Sequence, residues 1–355
     1  MKIQDLDKNF KVATSFERED LEFYSGSSRV FSLYGIKYNE KDGYHRIDYS
    51  VAESIAESIR YFAPSTTGGR IKFVTDSSFI AINAKLPEFS IPHMADVGSS
   101  GFDVIIKEEE KGKTVTKVKI LPPSDKPGKG VYESLVELGG KKERELTVCF
   151  PLYNHVDELF IGLEKGCEIK HAKEYKYKDV VFYGSSITQG ACADRPSSCY
   201  QALLSDALDF DYLNLGFSGN AKGETLLAEY IASLPMSVFV YDYDHNAIDS
   251  AFLKKTHEPF FKIIREKNKD LPVIMISRPD FKGTEEDIKR RRVVKRTFLN
   301  AKKAGDNNVY FIDGETIFGK LGVRYCTTDE THPNDLGMYL FYKKLYPIMK
   351  KILEK

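Results

Sequence analysis

The chain has 355 residues, with 52 lysines and arginines balanced by 52 aspartates and glutamates, and it carries 21 tyrosines, 23 phenylalanines and no tryptophan. That length is enough for two domains with sizeable cores, and the zero formal charge supplies no global field to favour nucleic acid or an anionic membrane as partner. The opening MKIQDLDKNFKVATS has no apolar run after its lysine, and no stretch approaches the ~20 apolar residues of a membrane helix, so a cytoplasmic protein is expected.

From about residue 29 to 163, short apolar runs alternate with turn signals. RVFSLYGIKY, RIKFVTDS, FIAINAKL, FDVIIKEE, TVTKVKIL, ESLVEL and ELTVCF are separated by breaks such as TTGG, EEEKGK and SDKPGKG. This rhythm predicts an antiparallel β-sandwich, jelly-roll-like, over residues 1–174. One helical insertion is expected at Val51–Phe62, where apolar residues recur every three or four positions. The polar segment HAKEYKYKD (171–179) reads as the linker.

A second domain, 175–355, alternates strands and helices. The strands are expected at DVVFYG (179–184), DYLNLG (211–216), SVFVYDY (237–243), PVIMIS (272–277) and VYFID (309–313). Helices are expected at Ser198–Leu208, Glu224–Ala232, Ala251–Glu266, Glu285–Lys303 and Asn334–Glu354. Continuous apolar strands are buried on both faces, which implies an α/β fold with a parallel sheet and helices on both sides. Ligands of such sheets bind beyond the carboxyl ends of the strands. Cys149, Cys167, Cys192, Cys199 and Cys326 are odd in number and lack CxxC spacing, so reduced thiols are expected rather than disulfides or a zinc site.

Four of the strands or their neighbouring turns end in polar groups suited to acyl transfer. Gly184-Ser185-Ser186 follows the first strand, and a serine exposed at a sharp turn is a nucleophile once a base takes its proton. The competing role for either serine is to cap the next helix. After the second strand, Gly216-Phe217-Ser218-Gly219-Asn220 could aim a backbone N–H or simply form a turn. After the third, Asp244-His245-Asn246-Ala247 offers an amide donor for an oxyanion. Asp242, Asp244 and His245 do not read as a metal site, because neighbours on an extended chain point to opposite sides. Before the final helix, Asp329 and His332 stand three apart in DETHPN, a spacing that lets a carboxylate orient an imidazole. The sequence lacks the second glycine of a GxSxG elbow, so an α/β-hydrolase is not supported.

GSSITQG, GFSGN, DHNA and DETHPN together resemble the four blocks of the SGNH (GDSL-like) hydrolase superfamily, whose flavodoxin-like fold fits the strand and helix order. The resemblance implies Ser186 as nucleophile, His332 as base and acid, and Asp329 as its orienting group. It implies an oxyanion hole from the Ser186 and Gly219 N–H groups and the Asn246 side chain, with no metal or other cofactor. Ser185 and Ala247 stand where the superfamily usually has aspartate. GGRIKFVTDSSFIAINAKL, GFDVI and CFPLYNHVDELFIGL resemble the β-sandwich that precedes the catalytic domain in a bacterial branch containing carbohydrate acetylesterases. A serine esterase deacetylating plant-polysaccharide oligosaccharides is therefore expected. The alternatives are action on another ester or thioester, such as a lipid or acyl-CoA, and a non-catalytic carbohydrate-binding protein. Arg195, Tyr200, His245 and Arg278 are expected to line the substrate site, and a homodimer is compatible with such an architecture.

Overall fold

A computed structural model describes residues 12–122, 130–280 and 282–355. The expected break SDKPGKG lies, apart from Gly130, outside the described residues, as does most of the opening segment. The chain divides into two compact units. One comprises the described residues of 1–46, 64–174 and 194–197; the other comprises Ile47–Ala63, Tyr175–Ala193 and Ser198–Lys355.

The first unit is built on two antiparallel sheets. One has the order Leu21–Ser25, Glu158–Glu164, Phe79–Lys85, Tyr132–Glu137. The other runs Ile169–Lys170, Arg70–Thr75, Arg144–Cys149, Phe102–Glu110, Lys113–Leu121, with Ser32–Tyr34 also paired to Arg70–Thr75. Their shared core follows from a period of two along each strand. Ile71 and Phe73, Leu146 and Val148, and Val104 and Ile106 sit opposite one another across three strands and form an aliphatic and aromatic patch, with the buried Arg144–Glu108 ion pair at its end. Ile161 and Leu163 face Ile82 and Ile80 in the other sheet and enter the same core.

The second unit holds five parallel strands in the order Phe210–Gly216, Tyr177–Gly184, Val238–Asp242, Val273–Ile276, Val309–Ile312. Numbered along the chain, that order is 2-1-3-4-5, the flavodoxin-like arrangement, and its switch point lies between the first and third strands. Both faces are covered. Val181, Tyr183, Tyr241 and Met275 pack against Leu227, Phe260 and Val294 of the helices Thr225–Ser233, Ser250–Lys267 and Glu285–Lys303. Phe182, the alternate residue of the first strand, meets Tyr200 at 5.8 Å on the opposite face, and Tyr200 stacks on Phe341 of the last helix at 5.1 Å.

The helical insertion expected at Val51–Phe62 is two short helices, Tyr49–Ile55 and Glu57–Phe62, broken by Ala56 in an extended conformation (φ −168°, ψ 151°). Ala52 and Ile59 are buried in the core of the α/β unit, not in the sandwich core. Among the described residues no helix is long and apolar enough to cross a membrane.

Candidate active site

The first strand ends at Gly184, and the chain turns at once into the single-turn helix Ser186–Gln189. Gly184 and Gly216 are needed for that turn to pack. A Cβ on Gly184 would strike the Asp242 carbonyl, and one on Gly216 would strike the Gln189 backbone nitrogen. The two serines have different tasks. Ser185 is the N-cap, its hydroxyl accepting the Ile187 N–H at 3.2 Å, and it is fully buried. Ser186 is the first helical residue and keeps some exposure; its Oγ lies 2.8 Å from His332 Nε2. Its backbone N–H has no acceptor within so short a helix, as at any helix start.

His332 is held by Asp329 at two points. Asp329 Oδ2 is 2.7 Å from Nδ1, and Oδ1 accepts the His332 amide N–H at 2.8 Å and that of Thr331 at 3.2 Å. Burial pushes the Asp329 carboxyl up, but these N–H groups and the imidazole outweigh it and hold it below the usual carboxylate range. An ionised carboxylate only accepts, so Nδ1 carries the ring proton and Nε2 presents its lone pair to the Ser186 hydroxyl. The turn itself is pinned at both ends. Thr328 N–H bonds to the His332 carbonyl at 2.9 Å, and Asn334 caps the last helix by accepting from Gly337 N–H at 3.1 Å. Glu330 takes the left-handed conformation between the two functional residues (φ 64°).

The glycine block is tied to the same helix as Ser186, and the asparagine block to the residue that follows the glycine block. Gln189 Oε1 accepts the Ser218 N–H at 2.9 Å, and the Phe217 N–H bonds to the Gly184 carbonyl at 2.9 Å. Gly219 is left-handed (φ 70°), and a side chain there would meet nothing within 4 Å, so the backbone is open to an incoming group. Asn246 closes the short 3₁₀ turn Asp244–Asn246. Its Oδ1 accepts the Ala221 N–H at 3.2 Å. A backbone N–H can meet only the oxygen end of a carboxamide, so the NH₂ end of Asn246 is the one left to donate elsewhere. Ser186, Asp329 and His332 are thus brought together directly, and Gly219 and Asn246 join them through Gln189 and Ala221.

Of the four residues expected to line the substrate site, Tyr200 is ruled out by its burial, and the other three are held in ion pairs. Tyr200 is fully buried between Phe182 and Phe341, a core position that no substrate reaches. Arg195 belongs to the sandwich unit, where it donates to Asp194 at 3.0 Å and lies 3.7 Å from Asp103. Arg278 forms a two-pronged pair with Asp280 at 2.8 and 2.6 Å. His245 Nε2 also lies 2.8 Å from Asp280. Burial pushes Asp280 up, but Arg278 and His245 outweigh it and hold the carboxylate far below its ordinary range. Cys192 is no competing nucleophile, since burial pushes its thiol up to about 11. All five cysteines are thiols rather than disulfides.

Sequence reasoning missed Gln189, which bonds the glycine block, and Arg290, which bonds the loop that carries Asn246. Gln189 lies inside the first block, but nothing in its type marks it as a strut. Arg290 stands in a run of basic residues, KRRRVVKR, that reads as a solvated helix face.

Comparisons with known proteins bear on the family and the fold. Residues 177–350 match the GDSL-like Lipase/Acylhydrolase family, and residues 21–169 match the N-terminus of Esterase_SGNH_hydro-type. A Bacteroides ovatus protein described as a GDSL-like lipase is 28% identical with a TM-score of 0.81, over 94% of this chain and 98% of that one. The salicylyl-acyltransferase SsfX3 from a tetracycline biosynthetic pathway is 18% identical with a TM-score of 0.73, over 95% of this chain and 98% of that one. A family two carbohydrate esterase from Cellvibrio japonicus is 12% identical with a TM-score of 0.61, over 94% of this chain and 98% of that one. The last two likenesses establish a shared fold alone. A search of curated protein sequences finds no match.

Proposed function

We propose that this chain, which over residues 177–350 belongs to the GDSL-like lipase/acylhydrolase family, is a serine esterase that removes O-acetyl groups from carbohydrates. The observation that carries the reading is the continuous hydrogen-bond chain from Ser186 Oγ through His332 to Asp329. Ser186 attacks the ester carbonyl while His332 Nε2 takes the hydroxyl proton, and Asp329 stabilises the imidazolium that forms. The N–H groups of Ser186 and Gly219 and the Asn246 NH₂ receive the developing oxyanion. His332 then passes its proton to the departing sugar hydroxyl. Water repeats the sequence on the acyl-enzyme and releases acetate. These residues complete the reaction with side-chain and backbone groups of this chain.

The sugar ester as substrate is supported by architecture. The family two carbohydrate esterase of Cellvibrio japonicus shares the fold across both units. The small acyl group follows from the resemblance to the branch that contains carbohydrate acetylesterases. Turnover of p-nitrophenyl acetate and octanoate, alongside acetylated manno-, xylo- and gluco-oligosaccharides followed by NMR, tests both. Acetate release from at least one oligosaccharide, lost in Ser186→Ala and in His332→Ala with the fold intact, is expected. Faster turnover of octanoate would move the substrate to a lipid ester or thioester. Sugar binding without any ester turnover would make the chain a binding protein.

A further inference from the structure

The asparagine loop is fastened from behind by a buried cation. Arg290, in the helix Glu285–Lys303, is only 6% exposed. Its Nη1 donates to the carbonyls of Asp244 at 2.6 Å and Ala247 at 2.9 Å, and its Nη2 donates to that of Ile248 at 3.0 Å. Those three carbonyls bracket Asn246 on both sides. They belong to a 3₁₀ turn running into extended chain, so neither helix nor sheet supplies them with donors, and buried carbonyls require some. Glu286 aims the guanidinium by accepting its Nε at 2.9 Å, and the same carboxylate accepts the Ser250 N–H at 2.6 Å. A second restraint meets the same loop, where the Arg278 N–H donates to the Asp244 carboxylate at 3.0 Å.

Resting on the esterase reading above, we propose that Arg290 is a positioning residue for the reaction: it fixes the 244–248 loop so that the Asn246 NH₂ stands ready for the oxyanion. Oxyanion donors are effective because they are already in place when charge develops, so looseness of a fraction of an ångström in the loop is lost from the transition state rather than from substrate binding. Only a planar guanidinium spans three carbonyls and a carboxylate at once; a lysine ammonium is a single point of charge.

The test is a double-mutant cycle on p-nitrophenyl acetate. Arg290→Gln is expected to lower kcat roughly 10- to 100-fold with KM within about twofold, short of the roughly 10²–10³ expected for Asn246→Ala. Once Asn246 is alanine there is no donor left to position, so adding Arg290→Gln should slow that variant by less than about threefold. Arg290→Lys should recover little. A purely structural arginine would slow both backgrounds by the same factor, and that result overturns the proposal. So does wild-type kcat in folded Arg290→Gln beside a slow Asn246→Ala. Wild-type kcat in Asn246→Ala removes the oxyanion assignment and the proposal together. If Arg290→Gln does not fold, Glu286→Gln loosens the guanidinium from its more exposed end. It should lower kcat several-fold in the wild-type background and leave Asn246→Ala unchanged; equal slowing of both overturns the proposal.

Discussion

Asp329 both orients His332 and fixes its tautomer, and replacing it with asparagine separates the two effects. The amide keeps the shape, but its NH₂ turned toward Nδ1 would drive the ring proton to Nε2, which could then no longer accept from Ser186. Asp329→Asn is expected to lower kcat by roughly 10²–10⁴ while the thermal midpoint stays within a few degrees. In the wild type, Asp329 is held below the ordinary carboxylate range and stays ionised as the medium is made moderately acid. Asp329 therefore adds no proton uptake of its own on that side, and log kcat should fall there with a slope no steeper than one. A slope of two would show Asp329 taking a proton in that range. At this scale the residues taken alone let either serine cap the next helix, and only the resemblance implied Ser186 as the one that reacts. Helix phase decides it: Ser185 closes the turn and Ser186 is carried to His332. Tyr200 was misread because nearness along the chain says nothing about the direction a side chain takes from its helix.

The elements were more legible than their side chains. Parallel strands buried on both faces must be continuous apolar runs, and the five observed strands fall within two residues of those runs at either end. Glu285–Lys303 is found with the expected bounds because Thr284 and Asp287 form a reciprocal capping box at its start. The break at Ala56 was not legible, since alanine favours helix and nothing local opposes it. How tightly elements approach is also invisible in a sequence, and Gly216 shows why it matters. Its missing Cβ lets the helix bearing Ser186 lie directly on the second strand, against the backbone of Gln189. Backbone cannot rotate away as a side chain can. Gly216→Ala is expected to cost roughly 1–3 kcal/mol of stability. It should also lower kcat more than KM, because the displaced helix carries both the nucleophile and the Gln189 strut. Thermal melts and steady-state kinetics on the one variant check both, and an unchanged kcat would show that Ser186 does not depend on this contact.

For the molecule as a whole, the two-part pattern of strand-rich and alternating halves was plain in the sequence. The assignment of Ile47–Ala63 to the α/β unit was not, because tertiary burial of Ala52 and Ile59 leaves no local trace. A buried histidine in that same unit makes global stability respond to acid. His257 stacks on the Tyr241 ring at 4.3 Å, its Nδ1 lies 2.9 Å from Thr297 Oγ1, and burial pushes its pKa down to about 3. In the unfolded chain the same ring takes its proton near the ordinary value of about 6.5. Between those limits the unfolded state binds more protons, so the contribution of His257 falls as the pH drops from about 6.5 toward 3, by about 2 kcal/mol at pH 5. Asp242 and Asp244 act in the opposite sense. Burial raises both carboxyls, Asp242 further through Asp244 and Asp280, so the folded state holds their protons and gains stability as the pH falls toward the ordinary carboxylate range. The net profile mixes the two, and a variant separates them. His257→Gln keeps a hydrogen-bonding side chain but cannot charge, so urea midpoints between pH 7 and 5 should fall less steeply in the variant than in the wild type. Parallel profiles would mean that His257 is protonated inside the fold.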